Sequence, residues 1–266
     1  MYDKAVSEER KKYLKSLKIK KCFILSSQIF ILVFFVGLWE IAGNLNWIDP
    51  FITSQPSRIL ATFLNLSKNG LLNHLWVTVF ETITGFLLGV IFGVVFAVIF
   101  WWSKTLSKIF EPYLVVLNSL PKIALGPVII IWVGAGMKAI VFMALAISLI
   151  VTVLELLNGF LTTDGEMIKM AKTFGANKWQ IFTKIVFPSN VKTLMNSMKI
   201  NIGLSLVGVI AGEFLVSKAG LGYLIVYGGQ VFKLDLVMAS VIILAIVAAL
   251  LYKIVVFTEK VIMKQF

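Results

Sequence analysis

The chain has 266 residues, of which 59% are hydrophobic and 14% charged, with a mean hydropathy of +0.94 and a formal net charge of +12. A soluble domain carries about a quarter charged residues, so this composition excludes a water-soluble core and defines an integral membrane protein with no separate soluble domain. The positive excess does not point to nucleic acid, because the Lys and Arg residues lie between and beside apolar runs, as topology signals do.

In chain order, residues 1–21 are polar and basic, with eight Lys or Arg against Asp3, Glu8 and Glu9. Cys22–Ala42 is the first apolar run, matching the roughly 20 residues that cross a bilayer. It is too long for a signal-peptide core and has no clean A-x-A cleavage site, so it reads as an uncleaved anchor. Further runs cover about Leu75–Trp102, Tyr113–Val133, Ala139–Leu157, Leu194–Val216 and Leu236–Phe257, the second of these interrupted by Pro121, Lys122 and Pro127. The pattern predicts an all-α integral membrane fold of six transmembrane helices over 22–258, followed by a tail over 259–266.

Charge placement orients these helices. With the N-terminus inside, the inner segments 1–21, 103–111, 159–193 and 253–266 hold 18 Lys or Arg. The outer segments hold five: Arg58, Lys68, Lys138, Lys218 and Lys233. The asymmetry places both termini in the cytoplasm. In the first outer loop, Ile59, Leu60, Phe63, Leu64 and Leu66 recur at helical spacing after Pro56. They predict a short helix lying on the membrane face or against the bundle.

Between the fourth and fifth runs, residues 164–188 are basic and amphipathic. One short helix is expected over about Asp164–Phe174, with Thr163 or Asp164 as its N-cap and Met167, Met170, Ala171 and Phe174 on one face. Gly175 ends it, and a second helix over about Asn177–Phe187 carries Trp179, Phe182, Ile185 and Val186 before Pro188. Two readings fit: a loop resting on anionic headgroups, or a compact knob that docks into a partner.

Polar residues inside apolar runs are expensive and face protein or water. Glu213, close to the outer end of the fifth run, either lines or gates the pathway, or else sits at the interface or pairs structurally, with Lys218 as a candidate partner. Glu81 and Glu155 are interfacial or helix-packing acids, and Glu40 is interfacial. Asn118, Ser119, Pro121 and Lys122 sit at the break in the third run, where interrupted helices often border a substrate route, although Lys122 can also snorkel. Asn201, Ser205, Gly208 and Gly212 share one face, suited to helix packing or to lining a pathway. A single Cys22 and a single His74 offer no disulfide, metal set or catalytic constellation.

The segment around Gly175 resembles the cytoplasmic loop of ABC-importer permeases: Glu-Ala-Ala, three residues, Gly, nine residues, then Ile-x-Leu-Pro. Here Lys169-Met170-Ala171, Gly175 and Ile185-Val186-Phe187-Pro188 keep the spacing, with Lys169, Met170 and Phe187 departing in identity. "AGEFLVSKAGLGYLI", "SLPKIALGPVIIIWVGAG" and "HLWVTVFETITGF" resemble the fifth-, third- and second-helix motifs of the nitrate, sulfonate and taurine branch, with Glu81 where many members have Arg. The resemblance implies the translocation subunit of a bacterial importer in the plasma membrane, working as a homodimer with two ATPase subunits and an extracytoplasmic solute-binding protein. It implies that Met170, Ala171, Phe174, Gly175, Ala176, Ile185 and Pro188 form the ATPase-coupling surface. Asn118, Ser119, Pro121, Asn201, Ser205 and Glu213 are the pathway candidates.

The chain contains no G-x-x-x-x-G-K-[ST], so ATP would be bound by the partner and no cofactor is expected here. The rival readings are an ion-coupled secondary transporter using Glu81, Glu155 or Glu213, and a membrane enzyme. The first leaves the basic knob without a purpose, and the second lacks a reactive constellation.

Overall fold

Every regular element among the described residues of this computed structural model is helical. Residues 8–68 and 70–264 are described, so the first seven residues of the basic N-terminal segment, Asn69 and the last two residues of the tail lie outside them. In order the helices are α1 (Glu8–Asn44), α2 (Pro50–Thr53), α3 (Pro56–Lys68), α4 (Leu71–Trp102), α5 (Lys104–Ser119), α6 (Gly126–Val133) and α7 (Met137–Leu161). There follow α8 (Gly165–Thr173), α9 (Lys178–Ile181), α10 (Phe187–Ser189), α11 (Val191–Val216), α12 (Leu221–Gln230) and α13 (Leu234–Ile262).

Five helices are long and apolar enough to cross a membrane: α1, α4, α7, α11 and α13. A sixth crossing exists only as a bent pair. Helix α5 stops at Ser119, a 3-10 turn runs over Lys122–Leu125, and α6 leaves at 88°. The break follows from Pro121 and Pro127, which supply no backbone N–H. The expected third span is therefore a broken one, and the expected loop at 103–111 is already the first half of α5. Only Ser103 separates α4 from α5, and its hydroxyl accepts from the Leu106 N–H at 3.2 Å as an N-cap.

The centre is a sandwich of α7 between α4 and α11, built on small residues. Gly85, Gly89 and Gly93 of α4 face Ala144, Ser148 and Thr152 of α7, where a Cβ on Gly85 or Gly93 would come within 2.5 Å of the opposing side chain. On the other flank, a Cβ on Gly208 of α11 would lie 2.7 Å from the Ala144 Cα. Lipid tails are as apolar as Leu and give helices no hydrophobic reason to associate. Close backbone approach, with the dispersion contact it allows, supplies the cohesion.

Two apolar clusters complete the core, one at each end. Phe100, Leu156, Phe160, Ile181, Phe182 and Val186 fill the end that carries α8–α10, while Leu71, Phe86, Leu221, Leu224 and Ile243 fill the α12 end. At the α12 end, α3 packs on α13 as the helical spacing after Pro56 predicts. Asp235 of α13 takes the Ser54 hydroxyl at 2.6 Å and the Arg58 guanidinium at 2.8 Å. Helix α1 runs unbroken from the basic segment into the first span. It touches the rest through the Trp39 indole, which donates to the Ser54 carbonyl at 3.2 Å, and through Glu40, which accepts from the Ser57 N–H at 3.0 Å. Its apolar length from Phe23 to Leu38 is otherwise exposed.

Candidate functional site

The basic segment folds into a braced knob. Asp164 accepts from the Glu166 N–H at 2.8 Å and starts α8. Gly175, at φ +78°, closes the helix: its N–H reaches the Lys172 carbonyl at 2.9 Å, and the Ala176 N–H reaches Ala171 at 3.0 Å. A residue with a Cβ resists that left-handed turn. Asn177 and Gln180 then form a reciprocal capping box, with bonds of 2.9 and 2.8 Å, that launches α9.

Pro188 does not end the second helix, as its position suggested. The chain widens into a π turn over Phe182–Val186, where the Phe187 N–H reaches Phe182, and carries the half-buried Pro188 inside the helical run. Such a turn accommodates a ring that cannot donate. The break falls at Asn190, whose Nδ2 donates to Val186 at 2.8 Å and to the Thr163 hydroxyl at 2.9 Å.

The knob has a buried underside and an exposed top. Ile181, Phe182 and Val186 are buried, and Ala171 and Ala176 pack against the same cluster. On the outside, Met170 is 55% and Phe174 83% exposed, with Gly175 between them and the half-buried Ala176. Ile185 is half-buried within the π turn. Two of the segment's lysines make specific contacts. Lys178 stands over the rings of Trp101 and Trp102 and donates to the Trp102 carbonyl, while Lys169 pairs with Glu166 at 2.8 Å on a fully solvated face. The capping box was readable from its N-x-x-Q spacing; the Lys178 contact, reaching across to α4, had no local signal.

The pathway candidates divide into two groups. Asn118, Ser119 and Pro121 are exposed at the α5–α6 bend, and Lys122 folds back to the Asn118 carbonyl at 3.0 Å instead of extending away. Asn201 and Ser205 are fully buried in the α7–α11 seam. Asn201 donates to the Thr152 hydroxyl at 2.7 Å and to Ser197 at 3.0 Å.

Glu213 is also buried, and Lys218, its suggested partner, is exposed. The carboxylate instead holds the start of α12. It accepts from the Thr78 hydroxyl at 2.6 Å and from the Gly222 N–H at 2.5 Å. Thr78 in turn accepts from the Leu221 N–H at 2.8 Å, and His74 Nδ1 from the Gly220 N–H at 3.0 Å. Three free N–H groups of one helix start are thus satisfied by α4 and α11. Glu81 lies one turn from Thr78, equally buried. Among the described residues there is no group of three or more His, Cys, Asp or Glu placed to hold a metal ion.

The described residues thus form an all-helical bundle with a broken span and a braced amphipathic knob. Residues 85–264 match the family described as binding-protein-dependent transport system inner membrane component, and the chain belongs to that family. It is 31% identical over 222 residues to the riboflavin transport system permease protein RibX of Chloroflexus aurantiacus, covering 83% of each chain. It is 26% identical to the putative aliphatic sulfonates transport permease protein SsuC of Escherichia coli, covering 87% of this chain and 89% of that one. Among solved structures, the inward-facing MetNI methionine ABC transporter superposes with a TM-score of 0.64 at 18% identity, over 72% of this chain and 95% of that one. The chain is thus an ABC-importer permease subunit, and permeases of this family are not themselves enzymes.

Proposed function

We propose that this subunit imports a small solute, a sulfonate-, taurine- or nitrate-like anion or a related small molecule, with energy from separate ATPase subunits that dock on α8 and α9. The observation that carries the docking is the exposed pair Met170 and Phe174 on a helix whose other face is locked into the core. Apolar side chains held rigidly above a packed base suit insertion into a groove, because little ordering entropy remains to be lost on binding. ATP binds the partner, so this chain carries no cofactor. ATP drives transport by binding differently to two states of the complex, and the knob conveys the difference to the bundle.

In this reading the chain pairs with a second copy, receives its solute from an extracytoplasmic binding protein and keeps both termini in the cytoplasm. The 18-to-5 split of Lys and Arg between the two sides supports the orientation. Lipid covers the exposed apolar length of α1. The relatives' names span aliphatic sulfonates and riboflavin, which favours placing solute choice largely in the binding protein.

The deciding experiment co-expresses the chain with candidate ATPase and solute-binding-protein subunits and measures ATP-dependent uptake into proteoliposomes. Uptake of a small anion that needs all components supports the reading. Uptake driven by a proton gradient without ATP would overturn it.

A further inference from the structure

Glu81 and Glu213 form a contact that the transport reading does not use. Glu81 is 2% exposed on α4 and Glu213 2% exposed on α11, and Thr78, one turn before Glu81, donates to Glu213 at 2.6 Å, which brings the two acids side by side. Glu213 uses its oxygens as acceptors, Oε1 from Thr78 and Oε2 from Gly222. The neighbouring Thr82 hydroxyl is already given to the Thr78 carbonyl at 2.7 Å, and one oxygen of Glu81, Oε2, has no partner.

None of the ion pairs Arg58–Asp235, Lys169–Glu166 and Lys199–Glu259 of the described residues reaches either acid. Every element around them gives the same answer. Helix α4 adds His74, whose Nδ1 is occupied by the Gly220 N–H; α12 adds Tyr223, stacked on that imidazole at 6.0 Å. Helix α7 presents Ile140 and Ala144 to α11 here, with Lys138 exposed in its first turn, and the link to α12 carries the exposed Lys218. At the head of α13, Asp235 is held by Arg58.

Two ionised carboxylates in contact, out of water and without a cation, repel strongly, and neither can donate to the other. We propose that Glu81 and Glu213 are a proton-binding site in which one proton, carried on Glu81, bridges to the Glu213 carboxylate. The proton fastens α4 to the corner where α11 turns into α12. Gly220 and Gly222 press the α12 start against Glu213 so closely that a Cβ on either would collide with it. The acid pair is therefore the centre of the joint rather than an ornament on it.

The test uses the full-length chain in lipid nanodiscs, with infrared spectroscopy in the region where a protonated carboxylic acid absorbs and a carboxylate does not. At neutral pH the wild type shows that band and Glu81→Gln loses it. Glu81→Gln still donates to Glu213 and melts with the wild type, and Glu81→Arg, which replaces the proton by a fixed positive charge, also loses the band. Glu81→Ala loses the band and melts early. Absence of the band from the wild type overturns the proposal. So does a band that persists in both Glu81→Gln and Glu81→Arg. Melting of the wild type that rises with added sodium or potassium, without the band, assigns the compensation to a metal ion and overturns it equally.

Discussion

The Lys178 ammonium stands 5.2 Å from the centroid of the Trp102 ring and 5.6 Å from that of Trp101, and it donates to the Trp102 carbonyl at the last turn of α4. One side chain of the knob thus caps a spanning helix. A cation over an aromatic face is worth about 0.5–2 kcal/mol, depending on desolvation. The same positive charge suits the negative end of the α4 dipole. Lys178→Gln is expected to leave ATPase binding in place but to lower uptake per ATP hydrolysed by several-fold, whereas Lys178→Arg retains most of it. Parallel measurement of ATPase rate and uptake in proteoliposomes checks this. Equal loss of both would mean that Lys178 acts in docking.

If the knob docks an ATPase, charge identity at its top is expected to matter less than shape. The Lys169–Glu166 pair is solvated on both sides, with side chains 74% and 80% exposed, and such pairs contribute about 0–1 kcal/mol. Lys169→Glu is accordingly expected to keep coupled uptake within about twofold of wild type. Phe174→Asp and Met170→Asp place a charge on the exposed face proposed for docking without touching the core. They are expected to abolish co-purification of the ATPase while the melting temperature of the permease is unchanged. A pull-down paired with a thermal melt separates lost docking from lost folding.

The latch at the opposite end is electrostatic. Asp235 gathers the Ser54 hydroxyl and two Arg58 nitrogens, so α2, α3 and α13 meet at one carboxylate. The Arg58 side chain is 43% exposed, which lets solvent and salt weaken the pair. Asp235→Asn is expected to release α3, destabilising the protein by about 1–3 kcal/mol and making proteolysis in the 45–70 region faster. Arg58→Lys should cost less, because an ammonium still reaches the carboxylate but with fewer donors. Limited proteolysis over a salt series distinguishes the two.

Local chemistry made part of this protein legible in its sequence. Gly175 declared the end of α8, and Pro121 with Pro127 declared the broken span, because each acts on its own backbone. The helical spacing after Pro56 declared α3. What stayed hidden depends on residues far apart in sequence. Nothing near Glu213 announces that Thr78 and the Gly222 N–H will meet it, and Lys218, close in sequence, proved a poor guide to its partner. The basic segment ahead of Cys22 read as a flank, yet its described part is continuous helix with α1, since nothing between Glu8 and Cys22 stops a helix. Pro188 misled for the opposite reason, because a single π turn absorbs a residue that normally ends a helix.

The central seam tests whether small residues hold the bundle together. Gly93 meets Thr152 so closely that any side chain must displace α4 or α7, while Gly37 on α1 has open space around its Cα. Overpacking a close-packed interface costs about 1–3 kcal/mol and sometimes more. Gly93→Val is expected to lower the melting temperature and broaden the size-exclusion peak, whereas Gly37→Val, the same change on an uncovered face, leaves both as in wild type. Thr152→Val probes the same seam from the polar side. It removes the acceptor of Asn201, whose Nδ2 keeps only Ser197, and leaves the shape nearly constant, so its cost should be about 1–3 kcal/mol, the price of a weakened buried donor. If Gly93→Val melts with the wild type, the α4–α7 contact has room to relax and close approach is not what binds these helices.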